Sequence, residues 1–199
     1  MRILCISDLH ADTGACARVV ERAAAADAVV LAGDLARQHR MLRETIDALR
    51  PIATPCVLVP GNNERPEDLR AACDGWSAAR VLHGSGCAID GVAFWGLGGG
   101  VPVTPFGPWS YDLSEDEAAR MLEGVSAGGV LVSHSPPKGH GDRTSAGRRA
   151  GSTAVLAAVV RARPALVVCG HIHDSWGYDG VVGPTRVVNA GPNGVLVEV

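Results

Sequence analysis

Seven side chains with oxygen or nitrogen donors stand directly after short apolar runs. Asp8 and His10 follow "ILCIS", Asp34 follows "AVVLAG", and Asn62 follows "CVLVPG". His134 follows "VLVS", and His171 and His173 follow "ALVVCG". Carboxylate, imidazole and carboxamide are ligand types for borderline divalent metals. Singly, each pattern is ordinary. D-x-H also describes a helix cap beside a solvated histidine. Gly-Asp and Gly-Asn mark turns, and G-H-x-H occurs as a surface pair. Jointly they are five separate turns that end in ligand types. In an open α/β sheet the carboxyl ends of the strands share one edge, where ligands bind. The sequence therefore predicts that these seven residues converge.

The elements that must position them read as follows. Strands are expected at residues 2–6, 28–32 and 56–59, alternating with helices at 13–26, 36–50 and 66–73; Pro51 stops the second helix and Pro66 opens the third. Such alternation gives βαβ units and a parallel sheet. Short strands at 81–82, 87–89 and 92–97 follow, with "IDGVAFWG" as a hairpin signal. A Gly/Pro loop covers residues 98–110, and long loops in compact domains tend to be functional. Ser114 and Glu117 form a capping-box pattern for a helix to about Leu122. Further strands are expected at 130–133 and 165–169, with a helix at 151–162 between them. Residues 186–188 and 195–199 suggest a closing strand pair. The expectation is one domain across residues 1–199, with two sheets and flanking helices.

Composition narrows the function classes. Apolar residues make up 47% of the 199, enough for a sizeable core, and the net charge is −3. Arg148-Arg149 is the longest basic run, so no patch for duplex nucleic acid or an anionic membrane is expected. No apolar run approaches the roughly 20 residues of a spanning helix, and the chain opens on "MRILCIS" with no charged-then-apolar leader. The six cysteines contain no C-x-x-C pair. Cys5, Cys56 and Cys169 fall inside strand-like runs, where a thiol acts as a small hydrophobe; a zinc site of Cys169 with His171 and His173 lacks a second cysteine. A reduced, cytoplasmic protein is expected.

The ordered set D-x-H, G-D, G-N-x-E, H and G-H-x-H resembles the calcineurin-like metallophosphoesterase superfamily. "SHSPPKGHGD" and "GHIHDSWG…VVNAGP" look closest to its small prokaryotic-type phosphodiesterase branch. The resemblance implies an α/β fold, a four-layer αββα sandwich of two mixed β-sheets flanked by helices. It implies two divalent metal ions, Mn, Fe, Zn or Ni, bridged by Asp34. Asp8, His10 and His173 would complete one site, and Asn62, His134 and His171 the other. The implied activity is dimetal-dependent hydrolysis of a phosphodiester, by attack of a metal-bridging hydroxide on a small phosphoester substrate. In better-studied members a histidine stands where this chain has Asn63. A carboxamide hydrogen-bonds but gives no proton at neutral pH. His140 and His83 are then candidate acids, which makes Asp34, Asn63 and His140 the catalytic candidates.

Other polar residues have blander expectations. Glu64 would anchor its turn, Asp12 would cap the first helix, and Asn189 would hold a loop behind the site. Arg65, Arg143 and Asp174 are candidates for contacts to phosphate or to a ligand histidine, and His39 for a solvated position. Trp95, Trp109, Trp176 and Tyr178 are candidates for the pocket wall or for plain packing. Three rival readings stand beside the phosphodiesterase: a phosphomonoesterase, a scaffold module on the same fold, and a redox protein built on a reactive thiol.

Overall fold

The computed structural model describes residues 1–199, and their strands fall into two sheets. In the first, β1 (Arg2–Ile6), β2 (Ala28–Ala32), β3 (Cys56–Val59) and β4 (Ala79–Val81) run parallel, and β11 (Val195–Glu198) lies antiparallel to β1 at the edge. The second contains β5 (Ser85–Ile89), β6 (Val92–Leu97), β7 (Val130–Ser133), β8 (Leu166–Cys169), β9 (Asp179–Val182) and β10 (Thr185–Asn189). Its order is β5-β6-β7-β8-β10-β9, with β6, β7, β8 and β10 parallel and the two edge strands antiparallel to their neighbours. The helices are α1 (Thr13–Ala23), α2 (Leu42–Leu49), α3 (Pro66–Ala72), α4 (Glu115–Met121) and α5 (Thr153–Ala162). None is long and apolar enough to cross a membrane.

The two-residue period of the strands builds the layers. Ile3, Cys5, Val30 and Val57 of the first sheet face Phe94, Val132, Val168 and Val188 of the second in one buried cluster. The alternate residues Leu4, Ile6, Leu31 and Leu58 pack under α1, α2 and α3, through Val19, Ile46 and Leu69. On the far side Leu131, Val167 and Val187 meet Ala118 of α4 and Val155 of α5. The result is the expected four-layer αββα sandwich. Strands buried on both faces read as continuous apolar runs, as β2 ("AVVLA") and β8 ("LVVC") do.

Local signals hold at most boundaries. The Asp12 side chain accepts the Ala15 N–H at 2.9 Å and caps α1. Ser114 and Glu117 form a complete capping box on α4. Asp90 and Gly91, at φ 47° and 81°, make the two-residue turn between β5 and β6.

Two expectations need correction. The helix expected at 36–50 begins only at Leu42. Arg37 and Arg40 instead exchange backbone hydrogen bonds around Gln38 and His39, whose φ values are 48° and 63°. A tertiary contact accounts for this turn: Asn63 receives the Gln38 N–H on its side-chain oxygen and the His39 N–H on its carbonyl, both at 2.8 Å. The strands at 186–188 and 195–199 do not pair with each other. β10 lies between β8 and the unanticipated β9, whereas β11 crosses to β1 in the other sheet.

The sandwich predicts a test of the helix-side core. Leu58→Ala removes a fully buried side chain under α1–α3 and should lower the unfolding free energy by about 2–5 kcal/mol. Denaturant titration measures this, and a loss below about 0.5 kcal/mol would show that Leu58 is not packed as described.

Candidate metal centre

The carboxyl ends of β1, β2, β3, β7 and β8 deliver all seven donor residues to one edge of the sandwich. Backbone hydrogen bonds between the loops fix their relative heights. The Asp8 N–H donates to the Gly33 carbonyl (2.9 Å), the His10 N–H to the Asp34 carbonyl (2.9 Å), and the Gly170 N–H to the His134 carbonyl (3.0 Å). To leave a strand and turn a side chain inward within one or two residues, the backbone enters the left-handed region. Asp8, His10, Asp34 and His171 have φ of 56°, 45°, 55° and 67°. Non-glycine residues are uncommon there, and such strain gathers at functional sites. Glycine is required where the loops touch: a Cβ on Gly170 would sit 2.5 Å from Asp8 Oδ2, and one on Gly33 2.5 Å from His134 Nδ1.

The donors form two groups that share Asp34. Asp8, His10, Asp34 and His173 make one; Asp34, His134 and His171 make the other. Within each group the ligand atoms lie within 4.8 Å of one another. His10 Nε2 is 3.2 Å from His173 Nε2 and 3.6 Å from Asp34 Oδ2, and His173 Nε2 is 3.7 Å from Asp8 Oδ1. His134 Nε2 is 3.4 Å from Asp34 Oδ1. Asn62 joins the second group: its Oδ1 is 3.3 Å from His134 Nε2 and 3.0 Å from His171 Nδ1. The Asn62 amide is oriented by Ser110, whose Oγ accepts from Nδ2 at 3.0 Å.

The tautomers test whether a cation fits. His134 Nδ1 donates to the Ala32 carbonyl at 2.8 Å, and His10 Nδ1 to the Ala36 carbonyl at 3.3 Å. In a neutral ring the other nitrogen is then an acceptor. The Nε2 lone pairs therefore point at carboxylate and carboxamide oxygens, and His10 points at a second imidazole. At these two rings acceptors face oxygen acceptors at 3.3–3.6 Å and repel unless positive charge lies among them, and a backbone carbonyl behind a histidine is the usual support of a metal ligand. The donor set fits divalent metal ions.

The electrostatics agree. Burial pushes the Asp34 pKa up, and Asp8 adds to the rise. Burial and the neighbouring imidazoles push His171 well below the ordinary histidine value, and burial also lowers His173. His134 is opposed by burial too, but the Asp34 and Asp8 carboxylates outweigh it and raise its pKa. The common cause is charge buried without enough countercharge.

Other residues hold the donors. Asn63, 6% exposed, donates through its backbone N–H to Asp34 Oδ1 (2.9 Å) and through Nδ2 to Asp34 Oδ2 (2.7 Å). Glu64 is fully buried and accepts the N–H groups of Gly61 (2.6 Å), Ala36 (3.0 Å) and Leu35 (3.3 Å), tying the β2 loop to the β3 loop. Ser7 Oγ donates to Asp8 Oδ2 at 2.6 Å, and the Trp176 indole N–H reaches the same oxygen at 3.0 Å. Asn189 Nδ2 lies within hydrogen-bond reach of the carbonyls of Gly141, Gly170 and Ile172, behind the site as expected.

A cavity of about 780 Å³ opens on the cluster. His10, Asp34, Asn62, Asn63, His171 and His173 line it, with Arg37, Trp109, Asp174 and Trp176 among the others. His140 and His83 are not in the lining. His140 Nδ1 faces the Tyr178 hydroxyl at 3.1 Å. His83 accepts the Gly98 N–H on Nδ1 and meets the Tyr111 hydroxyl through Nε2, and burial pulls its pKa down to about 4. Trp95 donates its indole N–H to the Met121 carbonyl under α4. Arg143 lines a separate small cavity beside Tyr178, and Arg65 occupies the N-cap position of α3. His39 is exposed, with its ring on the Trp109 carbonyl. Ser7 and Arg37 carry no local sequence signal: Ser7 simply ends the run "ILCIS", and "RQHR" contains no turn residue.

The cysteines do not serve the site. All six are free. Burial pushes Cys5, Cys56 and Cys73 up to about 12, and Cys169 points at the Val188 carbonyl rather than at the histidines. Buried thiols held protonated are poor nucleophiles, which argues against the redox reading, and the direction of Cys169 Sγ argues against a zinc site there.

Known proteins share this architecture. TT1561 of Thermus thermophilus matches with a TM-score of 0.79 at 20% identity, over 96% of this chain and 90% of that one. A dimetal phosphatase from Danio rerio matches with a TM-score of 0.62 at 13% identity, over 96% and 87%. At such identities the likeness is one of fold. In sequence, the chain is 37% identical over 81 residues to the UPF0046 protein T07D4.2 of Caenorhabditis elegans, a stretch covering 37% of this chain and 20% of that protein. The model of the calcineurin-like phosphoesterase superfamily domain matches residues 1–196. With that match along nearly its whole length, the chain belongs to the calcineurin-like phosphoesterase superfamily.

Proposed function

We propose that the protein is a dimetal-dependent hydrolase of small phosphodiesters. The observation that carries this is the pair of donor groups meeting on Asp34. Asp8, His10 and His173 would hold one divalent ion with Asp34, and Asn62, His134 and His171 the other; Mn, Fe, Zn and Ni suit such donors. Bound there, the ions supply Lewis acidity toward a phosphoryl group and bring the pKa of water toward neutrality.

The chain's own residues set the rest. Asn62 is a neutral ligand, so two divalent ions against two carboxylates leave a surplus of positive charge, which attracts a phosphate. Arg37 adds a cation at the cavity wall. Asn63 holds both oxygens of Asp34 and gives no proton. No histidine outside the donor set lines the cavity. Proton supply to a leaving alkoxide is therefore weak. That favours esters with acidic leaving groups, and diesters over dianionic monoesters. The volume suits a small organic phosphate. Six free thiols suit a reducing compartment, and we place the protein in the cytoplasm.

Loaded with Mn or Ni, the protein should cleave bis(p-nitrophenyl) phosphate faster than p-nitrophenyl phosphate. The opposite ranking would favour the monoesterase. Asp34→Asn should lower activity at least about 100-fold and release metal on elemental analysis; full activity with both ions retained would remove the basis of the proposal. Asn63→Ala frees the Asp34 carboxylate and should lower kcat about 10–100-fold, with circular dichroism unchanged. Chelation should lower the melting temperature as well as activity, because a ligand at 100 times its Kd stabilises the native state by about 2.7 kcal/mol. An unchanged melting temperature and no metal after purification would support the scaffold reading instead.

A further inference from the structure

The loop after β6 brings two aromatic side chains, Phe106 and Trp109, into the lining of the cavity that opens on the donor cluster. Their rings are stacked, with centroids 5.7 Å apart and an interplanar angle of 16°. Phe106 is 51% exposed, so the stack keeps a large apolar surface in water. Trp176 lines the same cavity but is already engaged. Its ring lies 4.4 Å from that of His173, and its N–H is on Asp8.

The loop carrying the stack is fastened to the donor cluster itself. The Tyr111 N–H donates to the Asn62 carbonyl (2.9 Å), and Asn62 Nδ2 donates to Ser110 Oγ (3.0 Å). Asp112 then accepts from the Ser110 hydroxyl (2.8 Å), the Thr104 hydroxyl (2.7 Å) and the Thr104 N–H (2.9 Å). From the other side the His39 ring reaches the Trp109 carbonyl at 2.5 Å. Asn62 thus has one end on His134 and His171 and the other on the loop. The aromatic surface is registered to the phosphate-attracting cluster, so a ligand spanning both meets a prebuilt geometry.

We propose that the Phe106–Trp109 stack is a ring-binding subsite, which accepts a planar aromatic ring carried by the organic group of the phosphoester. The proposal rests on the phosphoesterase reading for the position of the phosphate. A flat π-surface favours a ring face over an alkyl chain, and stacking tolerates any ring with a π-face. A nucleobase and a simple aryl group are the two sources of such a ring.

Calorimetric titration of the metal-loaded protein separates the possibilities. The probes are adenosine 5′-monophosphate, phenyl phosphate, ribose 5-phosphate, hexyl phosphate and inorganic phosphate. Ring-bearing probes should bind at least about tenfold tighter than ribose 5-phosphate or hexyl phosphate. Phe106→Ala and Trp109→Ala should remove that advantage, and Trp109→Phe should restore most of it, at unchanged melting temperature. If both ring probes gain, the ring face suffices; if only the nucleotide gains, a base is the natural occupant. Equal binding of hexyl phosphate, or a ring advantage that survives both alanine variants, overturns the subsite. Loss of inorganic phosphate binding alongside a Trp109-dependent ring advantage would sink the hydrolase reading and leave the subsite standing. The reverse pattern would do the opposite.

Discussion

The structure is organised around two carboxylates, Asp8 and Asp34, each no more than 2% exposed, with no lysine or arginine against them. An uncompensated buried charge costs several kcal/mol, and burial accordingly raises the Asp34 pKa. The chain surrounds Asp34 with imidazoles instead of cationic side chains. At His10 and His134, backbone carbonyls take the outer N–H and leave a lone pair facing inward. The lone pairs at His10 and His134 and the two carboxylates therefore converge on a space that suits positive charge. The left-handed backbone at Asp8, His10, Asp34 and His171 has the same origin: strain accepted locally so that side chains from separate loops meet.

Holding that strain falls to groups that do no chemistry. Glu64 gathers three backbone N–H groups from the β2 and β3 loops. Burial and the nearby Asp34 push its pKa up to about 7, against the pull of those donors toward the ionised form. The arrangement depends on close backbone approach. Gly33 fits only without a Cβ, between His134 and Gly61, and Gly170 likewise against Asp8. The short segments "AGD", "PGN" and "CGH" thus combine a glycine that permits contact with a ligand type that uses it. This explains why the site was more legible than parts of the fold. Each of these strand ends carried both signals within three residues.

The elements that went unread lacked a local signal. β9 is short and half-exposed, and its pairing with β10 turns at Gly183 without a strong apolar alternation. β11 and β10 are adjacent in sequence and similar in composition. Only the closing of each sheet, a long-range constraint, sends them apart. Residues 37–41 have helical composition, and three of them adopt positive φ without a glycine. Two hydrogen bonds to Asn63 override propensity there. His140, read as a candidate acid, sits near the site in sequence order but is drawn toward Tyr178; a loop's direction is not encoded in the spacing of its residues. The buried strands, the caps of α1 and α4 and the β5–β6 turn were local properties and were readable as such.

Asn62 and Asn63 show how adjacent, chemically identical side chains divide the work. Asn62 sends its oxygen into the cluster and its nitrogen to the loop that carries Trp109. Asn63 sends its nitrogen to Asp34 and its oxygen to the Gln38 N–H. A carboxamide suits both places because one carbon presents a donor and an acceptor and neither titrates. An imidazole at position 63 would bring a proton for the leaving group. It would also bring a charge that varies with pH beside the carboxylate common to both donor groups. By placing an amide there, the chain holds both oxygens of Asp34 with donors that do not themselves titrate and, under the proposed hydrolase reading, forgoes acid assistance. Under that proposal, the chemistry compatible with the choice is one in which the leaving oxygen needs little help, while the position of the phosphate matters most.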